Sequence, residues 1–290
     1  MRIAITGTTG RVGASLARLL AARHEIISLP RTVCDLADPA SLNAALSRLE
    51  CDVFINPAAL TSLEAREDDP RLAMRVNSAA PGKIALWAAE HGARMIHFST
   101  DYVFGGETTI PLTEDMAARP VNAYGRSKLA GELAVLAHPG NLVIRVSWVF
   151  GPEKPSFVDQ IFDAALAGHP LAAIADKLSL PTSTPDLSHW VEALLETDAR
   201  GILHACNSGI PISWHGLAEF VVREMTVRGV LESCPDVAEQ ILAEMPMFRA
   251  RRPRFTVMDN HRLSALLGQA ALRPWPEALA EHVALRGASR

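Results

Sequence analysis

The sequence has few cysteines, and they follow no recognisable pattern. Cys34, Cys51, Cys206 and Cys234 are scattered through 290 residues without a C-x-x-C spacing. This distribution indicates neither a zinc site nor a disulfide framework, and it fits a reduced cytosolic setting. The ten histidines also lack the spacing of metal ligands. We therefore expect no metal site.

Long apolar runs and a strong net charge are missing as well. No apolar stretch approaches the roughly 18 residues of a membrane span, and the chain starts with a strand-like segment rather than a cleavable signal. A net charge of −4 argues against a general nucleic-acid binder. We expect a soluble, cytoplasmic globular protein that binds neither nucleic acid nor membranes.

A glycine-rich turn follows the first predicted strand. The apolar segment from Arg2 to Ile5 leads to Gly7, Gly10 and Gly13, and an apolar helical pattern comes next. Glycines allow a tight turn, and a helix N-terminus supplies N–H groups, so this order suits a dinucleotide pyrophosphate; a purely structural turn is the alternative. The G-x-x-G-x-x-G spacing is typical of the short-chain dehydrogenase/reductase superfamily. The predicted cofactor contacts in this turn are Gly7, Thr9, Gly10, Arg11 and Val12.

The end of the second predicted strand favours NADP(H) over NAD(H). His24 to Leu29 closes on Pro30 and Arg31, and no acid stands at positions 28 to 31 to bind the ribose hydroxyls of NAD. Arg31 can hold a 2′-phosphate, although it could also be a solvated loop residue, and NADH remains an alternative. By resemblance to the superfamily, Asp35 and Leu36 contact the adenine, unless Asp35 caps a turn. Two small residues after the third strand, Ala58 and Ala59, are suited to lie against the cofactor.

Strand and helix patterns alternate through the first half of the chain. Apolar strands at 51–55, 94–98 and 141–146 are separated by helical segments such as 38–49 and 79–91. This alternation predicts an α/β fold with a Rossmann-type doubly wound parallel sheet.

The alternation becomes irregular after Gly151-Pro152. We therefore expect residues 1–152 to form the NADP-binding domain, with 183–206 returning to it. A smaller α/β lobe for the substrate would comprise 153–182 and 207–290, with helices near 156–167, 186–198, 213–228 and 235–244.

Tyr124 and Lys128 lie four residues apart in a predicted helix that ends before His138-Pro139-Gly140. This spacing places the phenol and the ammonium on one face of the helix. A nearby cation favours the phenolate, so we expect a lowered pKa for Tyr124. An apolar stripe at positions 129, 133 and 136 is predicted to form the buried side of the helix.

Taken together, several segments resemble the extended short-chain dehydrogenase/reductases, most closely the dTDP-4-dehydrorhamnose reductase family. The resemblance covers nearly the whole chain. It is carried by Thr6 to Gly13, Ser99-Thr100-Asp101-Tyr102-Val103-Phe104-Gly105, Asn122-Ala123-Tyr124-Gly125-Arg126-Ser127-Lys128-Leu129-Ala130-Gly131-Glu132 and Arg145-Val146-Ser147-Trp148.

The resemblance implies NADPH-dependent reduction of the 4-keto group of a nucleotide-linked deoxysugar. Tyr124 would protonate the ketone oxygen, Lys128 would bind the nicotinamide ribose, and Thr100 would donate a hydrogen bond to the same carbonyl.

The family also implies substrate contacts, at Asp101, Val103, Trp148 and Arg252. Trp148 would pack against the sugar, unless it is an ordinary half-buried tryptophan, and Asp101 could instead order its loop. Arg252 belongs to a run of four arginines in six residues, which is either a phosphate-binding element or a solvated loop.

Departures from the family pattern leave the substrate open. Lys177 and Ser179 do not match the motif before Pro181-Thr182, and Glu64 and Ser156 also differ from the common residues. The sugar, the base and the choice between monomer and homodimer stay undetermined. A separate departure, Ser15, argues against a metal-linked dimer known in some relatives.

Alternative interpretations are a non-catalytic NADP-binding regulatory subunit, resembling that of methionine adenosyltransferase, or another nucleotide-sugar epimerase or reductase. A dehydratase is disfavoured because Asp101 is followed by Tyr102 rather than by a glutamate.

Overall fold

A six-stranded parallel sheet forms the centre of the computed structural model, which describes residues 1–288 except for the side chain of Ala270. Its strand order is β10-β5-β4-β3-β1-β2. The strands of the whole chain are β1 (Arg2–Thr6), β2 (Glu25–Leu29), β3 (Val53–Asn56), β4 (Arg94–Thr100), β5 (Leu142–Val146), β6 (Val149–Phe150), β7 (Leu171–Ile174), β8 (Leu178–Ser179), β9 (Thr182–Ser183), β10 (Gly201–Ala205), β11 (Ile212–Ser213) and β12 (Val237–Gln240).

Helices cover both faces of this sheet, which confirms the predicted doubly wound α/β fold. Short 3-10 helices at Asp101–Val103, Leu242–Glu244 and Gln269–Ala271 and a π-helical turn at Arg75–Ala79 accompany them. The α-helices are α1 (Arg11–Leu20), α2 (Pro39–Leu46), α3 (Leu63–Asp68), α4 (Pro70–Met74), α5 (Ala80–Glu90), α6 (Ala123–Leu136), α7 (Phe157–Leu166), α8 (Thr184–Leu195), α9 (Trp214–Val227), α10 (His261–Leu267) and α11 (Trp275–Ala288).

Local signals in the sequence explain several helix starts. The side chain of Asp38 caps α2 by accepting a hydrogen bond from the Ala40 N–H at 2.9 Å, and Pro39 occupies the first helical position. Asn122 caps α6 through the Gly125 N–H at 2.7 Å. These caps fix where each helix begins, and the cap at Asn122 places Tyr124 in the first turn of its helix.

A second apolar core lies outside the sheet. It is formed mainly by α7, α9 and α11, together with the parallel pair β7 and β12 and the antiparallel pair β8 and β11. The segment of α8 and β10 packs with the sheet instead: α8 lies against α1, and β10 pairs with β5. Ser188 of α8 donates a hydrogen bond at 2.9 Å to Ser15 of α1. In the described residues, no helix combines the length and hydrophobicity needed to cross a bilayer.

Two sequence-based predictions of local structure are wrong. The helix expected at 235–244 is a strand, Val237–Gln240, followed by a 3-10 turn, because this segment pairs in parallel with β7. On α6 only part of the predicted apolar stripe is buried: Leu129 and Leu136 pack against apolar clusters, but Leu133 is 64% exposed. The buried face instead carries Tyr124, Lys128 and Glu132, since these side chains reach the site and the strands β4 and β5.

Candidate active site

A cleft of about 970 Å³ opens at the carboxyl ends of the parallel strands. The first lobe contributes the glycine-rich turn after β1, the segments that follow β2, β3 and β5, the end of β4 and the start of α6. Trp214 and Arg252 line it from the other side. Ligands of doubly wound sheets bind at this edge, so the cleft is the candidate active site.

Sixteen of the predicted site residues come together in this cleft. Val103 is the exception, because its fully buried side chain packs with Phe104 and Leu112 instead. The residues that line the cleft are Gly7, Thr9, Gly10, Arg11, Val12, Arg31, Asp35, Leu36, Ala58, Ala59, Thr100, Asp101, Tyr124, Lys128, Trp148 and Arg252.

The glycine-rich turn is closed on itself. The Gly10 N–H donates to the Gly7 carbonyl at 2.8 Å, and Gly7 has a φ of +57°, which favours glycine. A Cβ on Gly13 would lie 2.3 Å from the Gly7 oxygen. The turn therefore presents backbone and the start of α1 to the cleft, which is the arrangement that a dinucleotide phosphate requires.

Arg31 and Asp35 lie together at the cleft edge. The Arg31 Nε donates to Asp35 Oδ2 at 3.2 Å, and the Arg31 side chain is 75% exposed. Asp35 does cap a turn, by accepting from the Ala37 N–H at 2.9 Å, and this bond lowers the pKa of its carboxyl group. Arg31 thus remains open to solvent at the rim.

Thr100 and Asp101 are hydrogen-bonded at the floor of the cleft, which Tyr124 also lines. The Thr100 hydroxyl donates to Asp101 Oδ1 at 3.0 Å and accepts from the Tyr102 N–H at 3.2 Å. Burial raises the pKa of the Tyr124 phenol, and the Thr100 hydroxyl opposes this shift only partly. The expected lowering of this pKa is wrong, since desolvation outweighs any nearby cation.

Lys128 is held by β4 rather than by the phenol. Its Nζ donates to the Phe98 carbonyl at 2.6 Å and lies 3.1 Å from His97 Nε2. Burial lowers the pKa of Lys128 to about 7 and that of His97 well below its usual value. An ammonium with so low a pKa can lose its proton near neutrality.

Sequence reasoning missed the polar network behind Lys128. Thr6 donates to Asn56 Oδ1 at 2.6 Å, which leaves the Asn56 amide N–H to donate to His97 Nδ1 at 3.1 Å. In this arrangement the His97 proton sits on Nε2 and points at Lys128, so a neutral amine is the matching partner. No spacing in the sequence signals this network.

Sequence reasoning also missed the pair of Glu132 and Arg145, although the sequence of the strand that contains Arg145 gave a signal for it. Two hydrogen bonds of 2.9 and 2.7 Å join them, and both side chains are almost fully buried. An arginine in an otherwise apolar strand requires a buried partner, and Glu132 lies one turn after Lys128 on the same face of α6.

Lys177 lies fully buried beside the part of the cleft that Asp101, Tyr102 and Trp148 line, which is here called the substrate end. Its Nζ donates to the Pro253 carbonyl at 2.8 Å and lies 4.9 Å from the centre of the Tyr102 ring and 5.9 Å from that of Trp148. Burial raises the pKa of Asp101, and the charge of Lys177 opposes this shift. The sequence showed Lys177 only as a mismatch to the family pattern.

Two atoms near Lys177 have no hydrogen-bond partner among the described residues. They are Asp101 Oδ2 and Trp148 Nε1, and both are buried. Trp148 also has a φ of +41°, which is a strained conformation for a bulky side chain. These features mark the substrate end as a place where a polar ligand would satisfy open hydrogen bonds.

The arginine run is largely engaged in ion pairs. Arg249 binds both carboxylate oxygens of Asp68, and Arg254 pairs with Asp176. Arg252 pairs with Glu64 at 2.7 Å, and it is the member of the run that lines the cleft. Its role in binding phosphate stays a prediction.

Metal-ligating side chains do not gather in this site. Across residues 1–288, no group of three or more His, Cys, Asp or Glu side chains is placed to hold a metal ion.

Comparison with known proteins identifies the family of this chain. The family model described as "RmlD substrate binding domain" matches residues 1–286. A protein of Mycolicibacterium smegmatis named dTDP-4-dehydrorhamnose reductase is 36% identical over 288 residues, which cover 98% of this chain and 85% of that protein.

Solved structures agree with this placement. A dTDP-4-dehydrorhamnose reductase from Clostridium acetobutylicum superposes with a TM-score of 0.90 at 29% identity, covering 99% of each chain. One from Bacillus anthracis, solved in complex with NADP, gives 0.88 at 25% identity and covers 98% of this chain and 99% of its own. The chain therefore belongs to the RmlD substrate binding domain family.

Proposed function

We propose that this protein is an NADPH-dependent oxidoreductase that reduces the 4-keto group of dTDP-4-dehydrorhamnose or a closely related nucleotide sugar. The observation that carries the proposal is that Thr100, Tyr124 and Lys128 line the same cleft, with Lys128 one helical turn after Tyr124 on α6. The reductases among the relatives support the same chemistry.

The cofactor end of the cleft fits a dinucleotide. Its turn of Gly7, Gly10 and Gly13 leaves no room for side chains, so the phosphates can approach the backbone at the start of α1. Arg31 at the open rim supplies a cation for a 2′-phosphate. NADPH, when bound, supplies the hydride.

Tyr124 acts as the proton donor in this proposal. Burial keeps its phenol protonated at neutral pH, so the proton is available when negative charge develops on the ketone oxygen. Thr100 turns its hydroxyl from Asp101 to the same oxygen and stabilises that charge. Lys128 projects from α6, is held by the Phe98 carbonyl of β4, and orients the ribose of the cofactor.

In this proposal, different parts of the chain form the two ends of the cleft. We assign cofactor binding to residues 1–152 and 183–206, and substrate binding to 153–182 and 207–290. Asp101, Trp148 and Arg252 would contact the sugar nucleotide. The oligomeric state and the cytoplasmic location inferred from the sequence stay predictions.

The experiment follows NADPH oxidation at 340 nm with dTDP-4-dehydrorhamnose, for the wild type and for Tyr124→Phe. We expect Tyr124→Phe to lower kcat by about 100-fold or more, because proton donation is lost, while NADPH binding is retained. Tyr102→Phe is the matched control, since this second ring lies edge-on at 6.0 Å and should cause a far smaller loss.

Equal turnover in Tyr124→Phe and the wild type would contradict the assigned role of Tyr124. A wild type that binds NADPH but reduces no keto-sugar would favour the alternative of a regulatory NADP-binding subunit.

A further inference from the structure

Arg66 is a buried cation without a hydrogen-bond partner for most of its guanidinium group. Its residue is 8% exposed and lines the cleft. Its Nε and Nη1 atoms are buried and have no partner among the residues that the structure describes. A buried donor without an acceptor costs free energy, so this arrangement needs an explanation.

The acids on its own helix are already engaged. Glu64 pairs with Arg252 at 2.7 Å and accepts from the Ala250 N–H at 2.9 Å. Glu67 accepts from the Ala123 N–H at 2.6 Å.

The third acid of α3 is engaged as well. Asp68 feels the charge of Arg66, but Arg249 holds its two oxygens at 2.8 and 2.9 Å. The three carboxylates that are nearest to Arg66 in sequence therefore point to other partners.

We propose that Arg66 binds a phosphate group of a nucleotide held in the cleft. A guanidinium group offers several N–H donors in a planar fork that matches phosphate geometry, and Arg66 is one of the residues that line the cleft in which the ligand lies. This inference rests on the proposed function, which brings two phosphate-bearing ligands to the cleft, NADPH and a sugar nucleotide.

An anion also suits the charge balance around Arg66. Two other arginines that line the cleft are paired with carboxylates, Arg252 with Glu64 and Arg31 with Asp35. Among residues 1–288 Arg66 forms no such ion pair, and Asp68, the carboxylate that feels its charge, is held by Arg249. Bound phosphate would satisfy its donors and its charge together.

The test measures binding to the full-length protein without turnover. Isothermal titration gives the Kd of NADPH and, separately, of dTDP and of thymidine for the wild type, Arg66→Gln and Arg71→Gln. Arg71→Gln is the control, because it removes the same charge from an exposed position on the adjacent helix α4. Circular dichroism of each variant checks that the fold is retained.

Arg66→Gln should weaken one ligand by about tenfold or more, which is the size of a charge-assisted hydrogen bond, while Arg71→Gln stays within twofold of the wild type. A loss for NADPH alone assigns Arg66 to a cofactor phosphate. A loss for dTDP that thymidine does not share assigns it to the diphosphate of the sugar nucleotide.

Unchanged affinity of Arg66→Gln for every ligand that the wild type binds would overturn the role of Arg66. A wild type that binds NADPH but not dTDP would count against the proposed substrate, and the NADPH measurement would still test Arg66.

Discussion

The two ends of the cleft are built in different ways. The proposed cofactor end is formed mainly by backbone atoms. The Gly7 to Gly13 turn is closed by a hydrogen bond to the Gly7 carbonyl within one short segment. At the substrate end, side chains from distant segments meet, and pairs such as Glu64 with Arg252 join residues that are far apart in the chain. The first end depends on local conformation, and the second depends on how the lobes pack.

This difference indicates which changes each end tolerates. A backbone cradle admits no added atom, but it does not depend on the identity of remote residues. A set of ion pairs and buried charges can be rebuilt with other side chains, as the departures at Lys177 and Glu64 illustrate. We therefore expect substrate preference to vary more easily than cofactor binding.

The largest effect on stability is expected behind the cleft, at the buried pair of Glu132 and Arg145. Arg145→Met leaves the Glu132 carboxylate buried without its partner and should lower the free energy of unfolding by about 3–5 kcal/mol. The double change to Met at both positions should recover much of this loss. Urea unfolding followed by circular dichroism measures both, and a loss below about 1 kcal/mol for the single variant would show that the pair is dispensable.

An added methyl group tests the backbone cradle. In Gly13→Ala the Cβ would lie 2.3 Å from the Gly7 oxygen, whereas in Gly10→Ala it would lie 3.1 Å from the same atom. Overpacking of this kind costs about 1–3 kcal/mol, so Gly13→Ala should weaken NADPH by about tenfold and Gly10→Ala by less. Fluorescence titration gives both Kd values; equal affinities would mean that the turn is not a close-fitting cradle.

A smaller, pH-dependent effect is expected at the substrate end. Burial lowers the pKa of Lys177 to about 8, so its ammonium is charged below that pH and neutral above it. Loss of the charge removes the cation that favours the ionised form of Asp101. The KM for the sugar nucleotide should therefore rise a few-fold from pH 7 to pH 9 in the wild type.

Lys177→Met should show the raised KM already at pH 7, with little further rise at pH 9, and its NADPH affinity should match that of the wild type. Lys83→Met, at an exposed position on α5, is the control. A Lys177→Met enzyme with the pH profile of the wild type would show that Lys177 does not cause the pH dependence of KM.

Signals of short range predicted the fold and the cofactor end. The glycine spacing, the Asp38 cap and the alternation of strands and helices each depend on neighbouring residues, and the structure has all three. Tyr124 and Lys128 were found in the same way, because four residues along a helix fix a common face.

The predictions from the sequence that are wrong concern segments whose structure depends on contacts with distant parts of the chain. Periodicity alone predicted that Leu133 is buried, yet this residue is exposed, and the polar face of α6 is buried because β4 and β5 supply its partners. The segment Val237–Gln240 forms a strand because its backbone pairs in parallel with β7.

The sequence by itself determined the sheet, the glycine-rich turn and the common face of Tyr124 and Lys128 on α6, because each follows from local geometry. The tertiary structure alone decided that Lys177 lies beside Tyr102 and that the buried Nε and Nη1 of Arg66 have no hydrogen-bond partner within residues 1–288. Charge and burial at these positions depend on contacts between segments that are remote in the chain, and no local pattern encodes such contacts.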